Sequence, residues 1–236
     1  MSNLSRQTRA VPPTLVLDLD GTLVDTAPDL LTALNTVLTT EGLAPVAAEA
    51  GLSMVGHGAW VMLEQAFAAA GRSVAAADLD RLTQTFLATY GAHVADRSRP
   101  FPGAEAMLDR FAAAGWRLAV CTNKHEAPAV KLLTLLGLAP RFAVIAGQDT
   151  VGVRKPDPRH LTETIRAAGG APANAVMVGD SITDVDTAIA ANIPVVAVAF
   201  GYSAVPVATL GADRVIAHFD ELWDAVAVLR APVPTP

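Results

Sequence analysis

The chain has 236 residues, 52% hydrophobic and 17% charged, a balance that excludes intrinsic disorder and allows one large domain or a medium domain with a smaller companion. Its net charge of -6 offers no footprint for DNA or RNA, and its single cysteine, Cys121, excludes a disulfide framework or a cysteine-rich zinc site, so a metal must sit on oxygen. No apolar run reaches the ~18 residues of a membrane helix, and the start MSNLSRQTRAVPP lacks a signal-peptide core, so a reducing cytoplasm is the expected setting.

Leu15, Val16, Leu17 and Leu19 form a short apolar run that ends in acidic residues and turn chemistry, the pattern of a buried parallel strand. Residues 26–100 then break the rhythm. Ala27, Leu30, Leu31, Leu34, Val37 and Leu38 fall at helical spacing, as do Leu79, Leu82, Phe86, Leu87 and Tyr90, with glycines between. These predict a small all-helical domain over 26–100, hung on linkers near Thr26 to Pro28 and Arg97 to Pro102. The core is then expected from 1–25 together with 101–236.

Further apolar runs follow at Arg117 to Cys121, Phe142 to Ala146, Ala175 to Val178, Pro194 to Ala199 and, more weakly, Arg214 to Ala217. Helical segments separate them. One runs from about Pro128 to a stop at Gly137, and another opens with Asp157 as N-cap and Pro158 at the first helical position. Strand and helix alternating in this way predict an α/β fold with a Rossmann-like, doubly wound parallel sheet. An insertion just past the carboxyl end of the first strand stands over the edge where such sheets bind ligands, and reads as a cap. The terminal Ala-Pro-Val-Pro-Thr-Pro is expected to be a frayed tail.

Four segments at predicted strand ends carry chemistry. In Asp18-Leu19-Asp20-Gly21-Thr22, two carboxylates at i and i+2 flank a turn and can converge on one point, although such a motif alone is often an ordinary acidic turn. Thr122-Asn123 offers a hydroxyl and turn amides, and alone would be a helix cap. Lys155-Pro156 would alone be a solvated charge, and the acids of Gly179-Asp180-Ser181-Ile182-Thr183-Asp184 would merely cap the next helix. At the carboxyl ends of different parallel strands they describe one pocket, and its carboxylates suit a hard cation such as Mg²⁺.

These segments closely resemble the haloacid dehalogenase superfamily of aspartate-nucleophile phosphatases and, within it, the phosphoglycolate phosphatase group. The resemblance runs from about residue 14 to 229 and rests on Asp18-Leu-Asp-Gly-Thr-Leu-Val-Asp25, Val55-Gly-His-Gly58, Thr122-Asn-Lys124, Arg154-Lys-Pro-Asp-Pro158 and Gly179-Asp-Ser181. Thr183 departs from the asparagine that many relatives carry before the last motif aspartate, while Asp184 is kept.

The resemblance implies Asp18 as nucleophile, forming an aspartyl phosphate, and Asp20 as general acid and base. It implies Mg²⁺ on Asp18, Asp180 and the backbone carbonyl of Asp20, with Asp184 behind them orienting a metal water or Lys155. Thr122, the amide of Asn123 and Lys155 would bind the phosphoryl group. The substrate would be a small phosphate ester, with 2-phosphoglycolate first, and Gly56, His57 and Gly58 would face its carboxylate from the cap. The protein would act as a monomer or homodimer.

A carbon-halogen hydrolase on the same fold would have no use for Asp20, and a sugar phosphomutase would need an arginine-containing cap segment that this chain lacks. A non-enzymatic phosphate-binding protein would have little reason to carry all four motifs. Among the remaining residues, Asp25 is expected to tie the linker into the cap, and Cys121 to be a small core residue. His160 and His218 fall where helix and surface are expected, with no assigned role, and Met54, Trp60, Met62 and Phe67 are expected to pack the cap interior.

Overall fold

The computed structural model describes residues 11–230 apart from His57. Strand β1 (Thr14–Leu17) is followed by a short β2 (Val24–Asp25) and then by four helices: α1 (Ala27–Thr40), α2 (Ala48–Leu52), α3 (Ala59–Ala69) and α4 (Ala76–Ala92). The chain returns through β3 (Arg99–Pro100), which pairs antiparallel with β2. After α5 (Ala104–Ala113) come β4 (Arg117–Cys121), α6 (Glu126–Leu135), β5 (Val144–Ala146), α7 (Pro158–Ala167), β6 (Ala175–Gly179), α8 (Ile182–Ala190), β7 (Val195–Val198), β8 (Arg214–Ile216) and α9 (Leu222–Leu229). The two-stranded ribbon of β2 and β3, which the sequence pattern does not reveal, closes the insert at its base.

The main sheet has six parallel strands in the order β5-β4-β1-β6-β7-β8. Because side chains alternate along a strand, Leu15, Leu17, Leu118, Val120, Val176 and Val178 enter one apolar cluster, whereas Val16, Ala119, Cys121 and Met177 enter another. Helices α5 and α9 cover the first face with Phe111, Leu222 and Val226; α7 and α8 cover the second with Leu161, Ile165, Val185 and Ala188. The sheet is therefore doubly wound, as the pattern predicts. The chain steps outward from β1 in one direction and resumes on its other side at β6, so β1 and its neighbours open the crevice where such folds bind ligands.

The first cluster extends into the insert, where Leu34, Leu63, Phe67, Phe86 and Tyr90 are buried together. Met54, Met62 and Phe67 are buried as expected, but Trp60, in the first turn of α3, is 37% exposed and does not pack the interior. Its helical spacing is right, yet a ring that large is seldom wholly covered at the end of a short helix.

The helix signals hold where the chemistry is local. Asp157 accepts a hydrogen bond from the Arg159 amide ahead of Pro158, and Gly137 takes a positive φ just beyond α6. That helix begins at Glu126, earlier than Pro128, because proline belongs in a first turn rather than before it. Strand β5 is shorter than its apolar run, starting at Val144 instead of Phe142. His160 lies in α7 as expected, although it is wholly buried rather than at the surface. The expected terminal tail lies outside the described residues.

Candidate active site

Asp18 leaves the end of β1, held by its amide to the carbonyl of Val178 in β6 at 2.9 Å. Asp180 and Asp184 follow β6, and all three carboxylates are buried with one oxygen of each within 4.8 Å of the others. Lys155 enters from the loop after β5 and places Nζ 2.8 Å from Asp18 Oδ1 and 2.6 Å from Asp184 Oδ1. Asp184 also closes a capping box at the start of α8, its Oδ2 accepting from the amide and hydroxyl of Ser181. One carboxylate thus caps α8 and contacts Lys155 at the same time.

Two residues to which the sequence assigns no role, Thr22 and Tyr202, position Asp180, and Gly21 leaves room for it. The Thr22 hydroxyl donates to its Oδ1 at 2.9 Å, and the Tyr202 amide donates to its Oδ2 at 2.7 Å. Gly21 sits beside it at φ +82°, where a Cβ would come 2.5 Å from Asp180 Oδ2. Only glycine supplies both that backbone and that space. Thr22 lay within the acidic motif itself, and Tyr202 follows a strand end, so the rule that ligands meet strand ends could have found both.

Asp20 turns away from this cluster. Lys124 donates to both of its oxygens at 2.9 Å, and the Thr26 hydroxyl donates to Oδ1 at 2.6 Å. Thr26 thus gives its hydroxyl to the site instead of capping α1. Lys124 stands in the Thr122-Asn-Lys124 segment, and its ion pair with Asp20 is a feature that the sequence alone hides.

Thr122 is buried at the end of β4, its Oγ1 accepting from the Lys124 amide. The Asn123 side chain is spent on Lys155: it accepts from that residue's amide at 2.9 Å and donates to its carbonyl at 3.1 Å. This brace fixes the loop that delivers the lysine, leaving the Asn123 amide as its group for a ligand. Asp25 reaches the start of the insert only through a core residue. Its carboxylate accepts from the Tyr202 hydroxyl, which in turn accepts from the Ala27 amide, so the bond runs to the core loop after β7.

Between the core and the insert lies a cavity of about 40 Å³. Asp20, Asn123 and Lys124 line it from below, and Met54, Val55, Gly56, Gly58 and Tyr90 from above. Gly58 has φ +88°, and a Cβ on it would stand 3.4 Å from the carbonyl oxygen of Asn123. Of the expected Gly56, His57 and Gly58 turn, the two glycines reach the cavity, while His57 lies outside the described residues.

Burial pushes the carboxyl of Asp18 up to about 8 against the pull of Lys155, with Asp184 and Asp180 adding repulsion. Burial likewise carries Asp180 up to about 7, helped by Asp184. Both lysines are penalised by burial, yet Asp20 beside Lys124, and Asp18 and Asp184 beside Lys155, hold their ammonium groups above the usual value. Burial also raises the Cys121 thiol to about 12, so it is no nucleophile at neutral pH. Three buried carboxylates facing one ammonium would leave uncompensated negative charge once all were ionised, and an all-oxygen donor set fits a hard divalent cation there.

A parallel doubly wound sheet, an inserted helical unit after the first strand, and aspartates at the ends of β1 and β6 joined by a buried lysine define a haloacid dehalogenase-like hydrolase. The chain belongs to that family, whose model matches residues 15–198. It is a phosphoglycolate phosphatase-like enzyme: it is 54% identical over 210 residues to the phosphoglycolate phosphatase of Mesorhizobium japonicum, covering 89% of this chain and 92% of that protein. It is 46% identical over 218 residues to the one from Agrobacterium fabrum, covering 92% and 94%. Among solved structures, a predicted phosphoglycolate phosphatase from Haemophilus somnus superposes with a TM-score of 0.84 at 27% identity, covering 91% of this chain and 98% of that one. Among the described residues no helix is long and apolar enough to cross a membrane.

Proposed function

We propose that the chain hydrolyses 2-phosphoglycolate to glycolate and phosphate through an aspartyl phosphate on Asp18. The observation that carries this reading is the separation of two aspartates two residues apart: Asp18 faces Lys155 and the carboxylate cluster, whereas Asp20 faces the cavity under the insert. A nucleophile and an acid–base group need those different surroundings.

Asp18 attacks phosphorus as the ester P–O bond breaks, and Asp20 gives its proton to the departing alkoxide. Asp20 then takes a proton from the water whose oxygen attacks the aspartyl phosphate, which restores both groups. Lys155 offsets charge on the phosphoryl oxygens, and Thr122 and the amide of Asn123 orient them. Lys155 itself is aligned by Asp184 at 2.6 Å and by the Asn123 brace. Asp18, Asp180 and the carbonyl of Asp20 would hold Mg²⁺, which would supply charge compensation for a dianionic substrate among carboxylates.

In this reading residues 26–100 form the cap, and 1–25 with 101–236 form the core. Gly56, His57 and Gly58 present the cap loop to the substrate's carboxylate. Identity to curated phosphoglycolate phosphatases across most of the chain supports the substrate. The substrate is a free small molecule, the enzyme a monomer or homodimer, and the lone buried Cys121 fits a reducing cytoplasm.

Rates on a panel of phosphate esters, with Mg²⁺ and then with chelator, test the proposal. Phosphoglycolate should give the highest kcat/KM and chelation should abolish turnover. Full activity in chelator removes the metal, and a higher kcat/KM for hexose phosphates, nucleoside monophosphates or pyrophosphate removes the substrate.

A further inference from the structure

Lys124 is a buried lysine that phosphoryl transfer to Asp18 does not use. Its ammonium is shared between both oxygens of Asp20 at 2.9 Å each. A lysine ammonium has three donors, and Asp20 takes two of them, which leaves one for a second acceptor.

The same ammonium faces the cavity, 4.6 Å from the centre of the Tyr90 ring. Tyr90 is only 1% exposed, and its hydroxyl has no hydrogen-bond partner among the described residues. Burial pushes that phenol up to about 12, so it remains a neutral donor. His125, which also lines the cavity, is engaged by Asp149 at 3.4 Å. Leu30, Met54, Val55, Met62 and Phe86 contribute apolar wall. An ammonium with a spare donor and an unpartnered hydroxyl on an apolar wall, beside Asp20, make a receptor for a small anion.

We infer that Lys124 and Tyr90 receive an anionic group on the leaving alcohol, the carboxylate in the case of 2-phosphoglycolate, and so select esters by that charge. The inference rests on the phosphate-ester reading given above, in which the leaving group lies beside Asp20. A neutral leaving alcohol gives the ammonium nothing further to hold, so the charge of the substrate enters kcat/KM.

The test compares 2-phosphoglycolate with 2-hydroxyethyl phosphate, which has a neutral carbinol in place of the carboxylate. The wild-type enzyme should favour phosphoglycolate. Lys124→Met, which keeps the stem and loses the charge, should lower the ratio of the two kcat/KM values by ~10-fold or more; Lys124→Arg should restore part of the ratio, and Tyr90→Phe should lower it. Inhibition by glycolate should weaken in Lys124→Met more than inhibition by inorganic phosphate does. Equal losses on both esters make Lys124 a structural counter-ion and overturn the inference while phosphoglycolate stands. A wild-type enzyme that prefers a different anion-bearing ester, with the preference erased in Lys124→Met, keeps the receptor and removes phosphoglycolate. No preference for anionic over neutral esters overturns the receptor.

Discussion

The buried carboxylate of Asp29, in the first turn of α1, accepts both the amide of Ser98 at 2.8 Å and its hydroxyl at 2.7 Å, across a separation of 69 residues. It accepts from the Arg97 amide as well, at 3.0 and 3.1 Å, while the Arg97 side chain reaches the carbonyl of Pro28 and the hydroxyl of Thr32. The outgoing and returning linkers of the insert are thus joined by one carboxylate. If the insert opens to admit substrate, the two linkers turn together.

Asp29→Ala should therefore lower stability by about 2–4 kcal/mol, since it leaves the buried donors of Ser98 and the part-buried amide of Arg97 without an acceptor. Urea unfolding measures that loss. Hydrogen exchange at the Arg97 and Ser98 amides should accelerate more than exchange in the central strand β1, and uniform acceleration would show a global effect with no hinge in it.

Asp18 and Asp20 should fail at different steps. Asp18→Asn should form no covalent intermediate on any ester. Asp20→Asn loses help in forming the intermediate and in breaking it, so p-nitrophenyl phosphate, whose leaving group needs no proton, should rescue the first step preferentially and let phosphoenzyme build up. Mass spectrometry should place the phosphate on Asp18, and any other site reverses the assignment of roles.

The parts of this molecule that were legible in the sequence are those with local causes. Val16 and Cys121 face one side of the sheet while Leu17 and Val120 face the other, because alternation is a property of the strand itself. Convergence of Asp18, Lys155, Asp180 and Asp184 follows from strand-end position in a parallel sheet, a topological rule that short motifs can invoke. Partner choice was not legible. Nothing local distinguishes a Lys124 that grips Asp20 from one that is solvated, or sends Asp25 to Tyr202, which is 177 residues away, rather than directly into the insert. Trp60 and His160 departed from expectation for a related reason: helical spacing gives a direction, whereas burial depends on what the rest of the fold places there.

Gly21 offers a test of the geometry around Asp180. A methyl group there meets a carboxylate oxygen at 2.5 Å and a Tyr202 ring carbon at 2.7 Å, on a backbone with φ +82°. Gly21→Ala should thus displace Asp180 or Tyr202 and cost at least ~10-fold in kcat/KM, with a weaker response to Mg²⁺. Mg²⁺ titrations of activity check this. An unchanged half-saturation would mean that Asp180 does not help to hold the cation.

The carboxylate cluster also fixes the sign of a pH effect. Burial raises Asp18 to about 8 and Asp180 to about 7, both from an ordinary value of 3.8, so between those limits the folded chain holds protons that the unfolded chain has released. In chelator the contribution of this pair to stability is fully present below pH ~4 and is lost as pH rises through about 7 to 8. His160 acts in the opposite sense. Burial, with Lys155 nearby, lowers it to about 4, so its contribution is present above pH ~6.5 and is lost as pH falls through about 4, with or without metal. A cation held by Asp18 and Asp180 must displace their protons, so its binding strengthens as they ionise. The difference in melting temperature between excess Mg²⁺ and chelator removes the metal-independent part, and should widen from pH ~6 to pH ~8.5. A difference that is constant, or larger at the lower pH, would show that these two carboxylates are not the groups the cation displaces protons from.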